Sequence, residues 1–440
     1  MKPQFLISSI GPGNGKTIFA MGLIHALRKR GMKVQPYKCG PEITDTQLLT
    51  LSADNEAVNL DEWITTYTHI QHTYNKYGEK ADACIIEGNG ALFDGYKRMQ
   101  GSSAEIAKLL NVPVVLLVNA RMAGYSIASI IYGFKHFHPQ VKIVGVVFNQ
   151  ITSSAHYSYL KEACFDAGVD CLGYLPYNAE FKLPSKHSSI TLTTKRTMDT
   201  QINLIADDIE KNVNINRLLM NCNRNFPCQY TLPYSSDIEA ETVIPTSQQI
   251  KIAIARDPAF NFIYKENIAR LSIYGKISYF SPVYGSDLPE ADLIYLPGGY
   301  PELFARQLHR RHKLKNALKE YAEKGGKILA ECGGMAFLGR SITAKEGGTS
   351  YEMCNILPLD FTINSKLNSG YRKMIYNGVE LRGYEFHYSA TNNAENSLIA
   401  TQATNIKGTN VDLPLYRYKN IIASYGHWYW GDKDIFDLWK

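Results

Sequence analysis

The chain has 440 residues, 45% hydrophobic and 20% charged, with a net charge of +6. That length supports two or three buried cores. No like-charged block suggests a nucleic-acid tail, and no apolar run approaches the ~20 residues that span a bilayer. Eight cysteines, at 39, 84, 164, 171, 222, 228, 332 and 354, form no CxxC and no cluster with zinc spacing. With no signal-peptide pattern either, the expectation is a cytoplasmic protein with reduced thiols.

In chain order, "FLISSI" (5–10) predicts a strand, followed by the glycine loop "GPGNGKT" (11–17) and a helix over Thr17–Arg30. Phe19, Leu23 and Leu27 share one face of that helix, and Gly31 is placed to end it. "KVQPYK" (33–38), "ACIIE" (83–87), "VPVVLLVNA" (112–120) and "VKIVGVVFN" (141–149) read as buried strands separated by helical stretches. The pattern breaks at 221–248, a polar segment without periodicity, and restarts with "IKIAIARD", "KISYFSP", "ADLIYLPGG" and "GKILAECGG". The expectation is two doubly wound α/β domains, 1–220 and 249–440, joined by a linker at 221–248.

The glycine loop departs from G-x-x-x-x-G-K-[ST], because Ile10 stands where the first glycine belongs. Its setting between strand and helix still suits phosphate binding by backbone N–H groups of Gly13, Asn14 and Gly15. Lys16 is expected to reach the outer phosphates of ATP, and the Thr17 hydroxyl to bind Mg²⁺. Asp45 in "GPEITDT", Glu87 at the end of "ACIIE" and Asp94 in "GNGALFDG" are the acids expected at neighbouring strand ends, with Asp45 and Glu87 as further Mg²⁺ ligands.

"GGKILAECGGMAFLG" (325–339) predicts a strand, a sharp turn at Cys332 and a helix. Helix N–H groups at such an elbow lower a thiol's pKa, which makes Cys332 a candidate nucleophile. Gly333, with Gly299 from "LPGGY" (296–300), could supply an oxyanion hole. His427 in "ASYGHWYW" is the first candidate base and His387 in "RGYEFHYS" the rival.

These segments resemble those of the cobyrinic acid a,c-diamide synthase family nearly end to end; "LPGGYPEL" with "ECGG" is the most specific match. The resemblance implies a P-loop-type, dethiobiotin-synthetase-like ATP domain followed by a class I glutamine amidotransferase domain. It implies ATP, Mg²⁺ and L-glutamine as reactants and cofactor, and a tetrapyrrole polycarboxylate as substrate. It also places Lys16 and Thr17 on the phosphate and Mg²⁺ positions, Asp45, Glu87 and Asp94 at the ATP and substrate centre, Cys332 as glutaminase nucleophile and His427 as its activator. Oligomeric state stays open, a homodimer included.

Several positions depart from the family pattern. Glu42, Ile43, Thr46 and Leu49 replace Asp, Tyr, Pro and His in a stretch expected to touch the macrocycle. Asn119 replaces an acid, and Tyr429 stands where other class I amidotransferases carry the Glu that orients the histidine. The alternatives are the same chemistry on nickel-sirohydrochlorin or hydrogenobyrinic acid, a non-catalytic tetrapyrrole-binding paralogue, or an ATP-switch protein.

Overall fold

The computed structural model describes residues 1–181, 192–228, 249–345, 347–392 and 396–440. They fall into two compact units, the first holding 1–181 and 192–228 and the second the described residues from 249 onward.

The first unit is a parallel sheet of β1 (Lys2–Ser9), β2 (Val34–Cys39), β3 (Val58–Leu60), β4 (Ala83–Glu87), β5 (Val114–Asn119), β6 (Ile143–Ile151) and β7 (Cys171–Pro176). Their order is β3-β2-β4-β1-β5-β6-β7. The helices are α1 (Lys16–Lys29), α2 (Thr44–Ala53), α3 (Tyr67–Gly78), α4 (Ser103–Leu109), α5 (Ile127–His136), α6 (Ser154–Asp166), α7 (Leu192–Asn212) and α8 (Ile215–Asn221). Strand β5 is apolar from Val114 to Val118 and wholly buried, as a strand covered on both faces must be. Phe19, Leu23 and Leu27 of α1 are likewise fully buried, each worth about 1.5–3 kcal/mol over exposure. The chain leaves β1 toward β2 on one side, whereas the connection after β4 crosses to β5 on the other. The carboxyl ends of β1 and β4 therefore flank a switch-point crevice, with Ile7 paired to Glu87.

A short strand, β8 (Asn223–Arg224), pairs antiparallel with β1 at Pro3 and Lys2. Residues 221–228, expected to open a linker, are thus part of the first unit, and 229–248 lie outside the described residues.

The second unit contains β9 (Ile250–Ala255), β10 (Gly275–Phe280), β11 (Leu293–Leu296), β12 (Lys327–Glu331), β13 (Ser341–Thr343), β14 (Ser350–Glu352), β15 (Asp360–Tyr376), β16 (Val379–Asn392), β17 (Ile399–Asn405), β18 (Asn410–Tyr418), β19 (Ile421–Ser424) and β20 (Gly426–Tyr429). Its described helices include α9 (Lys265–Tyr274), α10 (Ala305–His309), α11 (His312–Glu323) and α12 (Gly333–Leu338). Strands β10, β9, β11, β12 and β19 form the parallel portion. Beyond β19 the sheet turns largely antiparallel, through β18, β17 and the long β15–β16 hairpin. The doubly wound expectation therefore describes only the first half of this unit. The hairpin turns at Asn377–Gly378, both with positive φ (49° and 77°), as a two-residue turn matched to strand twist requires. Among the described residues no helix is long and apolar enough to cross a membrane.

Candidate active sites

In the first unit the glycine loop joins β1 to α1 and is locked from behind by two asparagines. Asn119 N donates to Asn14 Oδ1 at 3.0 Å, and Asn149 Nδ2 donates to the Asn14 carbonyl at 2.8 Å. Gly15 is left-handed (φ 90°), and a Cβ there would fall 2.3 Å from Asn149 Nδ2, so both conformation and space call for glycine. Asn119, although it replaces a family acid, anchors this loop through its main chain.

Lys16 follows at the start of α1, its ammonium donating to Ser9 Oγ at 2.9 Å and to the Gly90 carbonyl at 2.6 Å. Burial, then the nearby Lys38 charge, lowers its pKa against the pull of Glu87 and Asp45. Thr17 Oγ1 donates to Glu87 Oε1 at 2.6 Å. Burial and the neighbouring Asp45 raise the pKa of Glu87, while Lys38 and Thr17 oppose them.

Lys38, the penultimate residue of β2, is a functional residue that the sequence reading does not single out. Its ammonium lies 2.8 Å from Asp45 Oδ2 and 3.1 Å from Glu87 Oε1. Burial works against its charge, but Asp45, Glu87 and Glu42 outweigh it and hold the group above its ordinary value. Asp45, Glu87, Lys16 and Thr17 are thus brought together, with Lys38 between the two acids. Asp94 is exposed on the loop that carries Gly90, its Cβ 4.0 Å from where a Gly90 Cβ would stand.

Among the described residues no three His, Cys, Asp or Glu side chains converge as a metal group. The expected magnesium set instead joins two carboxylates to a hydroxyl, all hard oxygen donors. Glu87 Oε2 is buried without a hydrogen-bond partner, and this orphaned oxygen fits a divalent ion.

In the second unit Cys332 sits at the elbow between β12 and α12 with φ 44° and ψ −104°. A non-glycine residue there stores roughly 1–3 kcal/mol of strain. Its N–H donates to the Ser424 carbonyl at 2.7 Å, which fixes the turn against β19. The Sγ donates to the Phe386 carbonyl at 3.8 Å. The expected acidic thiol is not found. Burial first, then Glu302, pushes the thiol up, and the Gly333 N–H offsets this only in part.

His427 lies in β20, 1% exposed. Burial, with His387 second, pushes it down to about 4, so the ring is neutral at pH 7. Neither nitrogen has a hydrogen-bond partner; the Phe386 carbonyl favours the charged ring slightly without reaching bonding geometry. Cys332 and His427 converge on Gly298, where a Cβ would lie 2.1 Å from His427 Cε1 and 3.2 Å from Cys332 Cβ. They meet without being hydrogen-bonded, a looseness common before substrate binds. Gly299 and Gly333 also face one another: a Cβ on Gly333 would sit 3.1 Å from Gly299 N.

Gly298→Ala is therefore expected to cut glutamine hydrolysis by about 100-fold, because displacing a reacting group by an ångström costs that much. Ammonia release from glutamine measures the loss, and ammonium-driven amidation by the same variant is expected to persist.

His387 does not qualify as the base. Its Nδ1 is 2.7 Å from the Ser389 carbonyl and its Nε2 is 2.8 Å from Glu385 Oε1. Both ring nitrogens are thus engaged by groups other than the thiol. Arg372 Nε holds the other Glu385 oxygen at 2.6 Å. Burial resists ionisation of Glu385, yet His387 and Arg372 together hold it below the usual range. His387 lines the cleft beside Cys332 with Glu302, Gly333, Tyr388 and Ser389.

The Tyr429 hydroxyl makes no hydrogen bond to the histidine ring. It lies 3.2 Å from where a Gly431 Cβ would stand, on the side of Glu266. The His427 ring is set by packing, with Phe262 at 5.3 Å between ring centroids. Tyr429→Phe is accordingly expected to change the rate of glutamine hydrolysis by less than about twofold, since no bond to His427 is lost. Steady-state ammonia release checks this.

Comparison with known proteins agrees with both halves. Residues 5–190 match the CobQ/CobB/MinD/ParA nucleotide binding domain, and residues 251–435 match the CobB/CobQ-like glutamine amidotransferase domain. A cobyrinate a,c-diamide synthase from Dehalococcoides mccartyi (strain 195) is 36% identical over 98% of this chain and 95% of its own. One from Listeria monocytogenes serotype 4b is 34% identical over 89% and 88%. One from Saccharolobus solfataricus is 30% identical over 96% and 97%. A nucleotide-binding domain followed by a glutamine amidotransferase domain, with relatives matched nearly end to end, places this chain in the cobyrinate a,c-diamide synthase family.

Proposed function

We propose that the chain amidates the a and c side-chain carboxylates of cobyrinic acid, using ATP and glutamine. The observation that carries this reading is the presence in one chain of a locked phosphate loop and a cysteine elbow with a neutral histidine beside it. A carboxylate resists attack by ammonia. Transfer of the γ-phosphoryl group gives an acyl phosphate and ADP; ammonia then adds to the acyl carbon and phosphate leaves, yielding the amide.

In the first unit Lys16 exchanges its bonds to Ser9 and Gly90 for the outer phosphates of ATP. Thr17, Glu87 and Asp45 would hold Mg²⁺, which would neutralise phosphate charge. Lys38 keeps the two acids close despite their repulsion, and Asp94, on the exposed loop, faces the substrate carboxylate. In the second unit His427 takes the thiol proton as Cys332 attacks the glutamine amide carbon. The N–H groups of Gly299 and Gly333 receive the oxyanion, ammonia leaves, and water hydrolyses the thioester. A neutral thiol and a neutral imidazole are the right starting pair, since proton transfer and attack then proceed together. The use of ATP and glutamine as co-substrates supports a cytoplasmic setting.

The departures at 42–49 do not argue against cobyrinic acid. Ile43, Thr46 and Leu49 are buried, so they adjust packing, and of the four only Glu42 retains partial exposure. The test is incubation with ATP, Mg²⁺, glutamine and one of three acids: cobyrinic acid, hydrogenobyrinic acid or nickel-sirohydrochlorin. The expected result is the mass change of two acid-to-amide conversions on cobyrinic acid. Conversion of another acid in its place overturns the substrate, and conversion of none overturns the reading.

A further inference from the structure

We propose that Glu331 is the positioning residue that aims His427 at Cys332, by tying together the three strands that carry the glutaminase site. The role rests on the assignment of Cys332 and His427 made above. Glu331 ends β12, immediately before the nucleophile, and is 1% exposed at the end of the buried apolar run Ile328–Ala330. A carboxylate so buried is costly unless its oxygens are engaged. Here both are. Oε2 accepts from Tyr295 Oη at 2.8 Å, and Oε1 accepts from Trp428 N at 3.2 Å. Tyr295 lies in β11, which runs directly into Gly298 and Gly299. Trp428 follows His427 in β20.

The connection matters because the ring of His427 has no polar partner of its own. Its aim is left to the main chain on either side and to packing against Phe262 and Gly298. Strand β20 takes its ladder from β16, not from β12. Among the described residues, the bond from β12 to the neighbour of His427 runs through the Glu331 side chain. Burial raises this carboxyl to about 8 against the bonds from Tyr295 and Trp428, so the group is kept where a hydrocarbon would cost nothing to bury.

The test compares Glu331→Gln, which keeps an acceptor and the side-chain shape, with Glu331→Met, which keeps volume and removes both acceptors. For Glu331→Met we expect kcat for glutamine hydrolysis to fall roughly tenfold to hundredfold. Its KM should stay near the parent's and ammonium-driven amidation should be unchanged. Glu331→Gln should recover most of the lost kcat. A parental kcat in Glu331→Met overturns the proposal, as does a rise in KM alone, which marks glutamine binding. Equal loss in both variants also overturns it, since the acceptor retained in Glu331→Gln then makes no difference. If Glu331→Met loses the ammonium-driven rate through damage to the fold, Tyr295→Phe decides: a lower kcat at constant KM supports the clamp, and an unchanged kcat refutes it. Failure of the underlying assignment looks different, because Cys332→Ala would then retain glutamine hydrolysis.

Discussion

Cys332→Ala is expected to abolish glutamine-dependent amidation and to leave amidation driven by added ammonium at raised pH at its parental rate. Removing a catalytic nucleophile costs on the order of 10⁶-fold in a well-organised triad, so no measurable glutaminase should remain. The second arm follows from chemistry. Cys332 acts only on glutamine, whereas an acyl phosphate accepts ammonia from any source, and raised pH enlarges the unprotonated fraction. The substitution itself is mild, because it removes one sulfur from a buried position whose N–H bond to Ser424 is a main-chain one. Mass analysis of the corrin product reads both arms. Loss of the ammonium-driven reaction in a variant that remains folded by circular dichroism would show that the two halves do not divide the labour in this way.

Lys16→Ala is expected to abolish amidation from either nitrogen source, because both routes need the acyl phosphate. Losing one preorganised charge at the transferring group costs about 10²–10³-fold, or roughly 3–4 kcal/mol. The loss should be at the upper end here. Lys16 is fixed by Ser9 and Gly90, so little reorganisation is needed when phosphate replaces those partners. Lys38 is not expected to substitute, being held by Asp45 and Glu87. Glutamine hydrolysis measured alone should survive, the reverse of the Cys332→Ala pattern. Near-parental amidation by Lys16→Ala would remove the phosphate loop from the mechanism.

The loop and the elbow were legible in sequence because their signals are local. Strand, glycines and a following helix lie within about fifteen residues in each case, and backbone geometry follows from the glycines themselves. Lys38, Asn149 and Glu331 were not, because their importance lies in what faces them across strand boundaries. Lys38 matters through Asp45 and Glu87, Asn149 through Asn14, and Glu331 through a main-chain N–H almost a hundred residues away. The upward shift of the Cys332 thiol has a related cause: helix N–H groups can be anticipated from an elbow, but burial of the side chain cannot. The Asn377–Gly378 turn was readable, since that dipeptide between alternating residues is a strong hairpin signal. Passing over it left the antiparallel half of the second unit unanticipated. At Leu49, comparison with the family pattern suggested substrate contact where the side chain is enclosed in the core.

The enclosure of Cys332 has a consequence for the durability of the enzyme. Peroxide and other electrophiles react with thiolates far faster than with thiols. A nucleophile whose burial disfavours the thiolate is therefore expected to react slowly with such agents while no amide is present. It ages slowly. The reactive form need exist only during a turnover, when glutamine occupies the cleft and shields the sulfur it has just engaged.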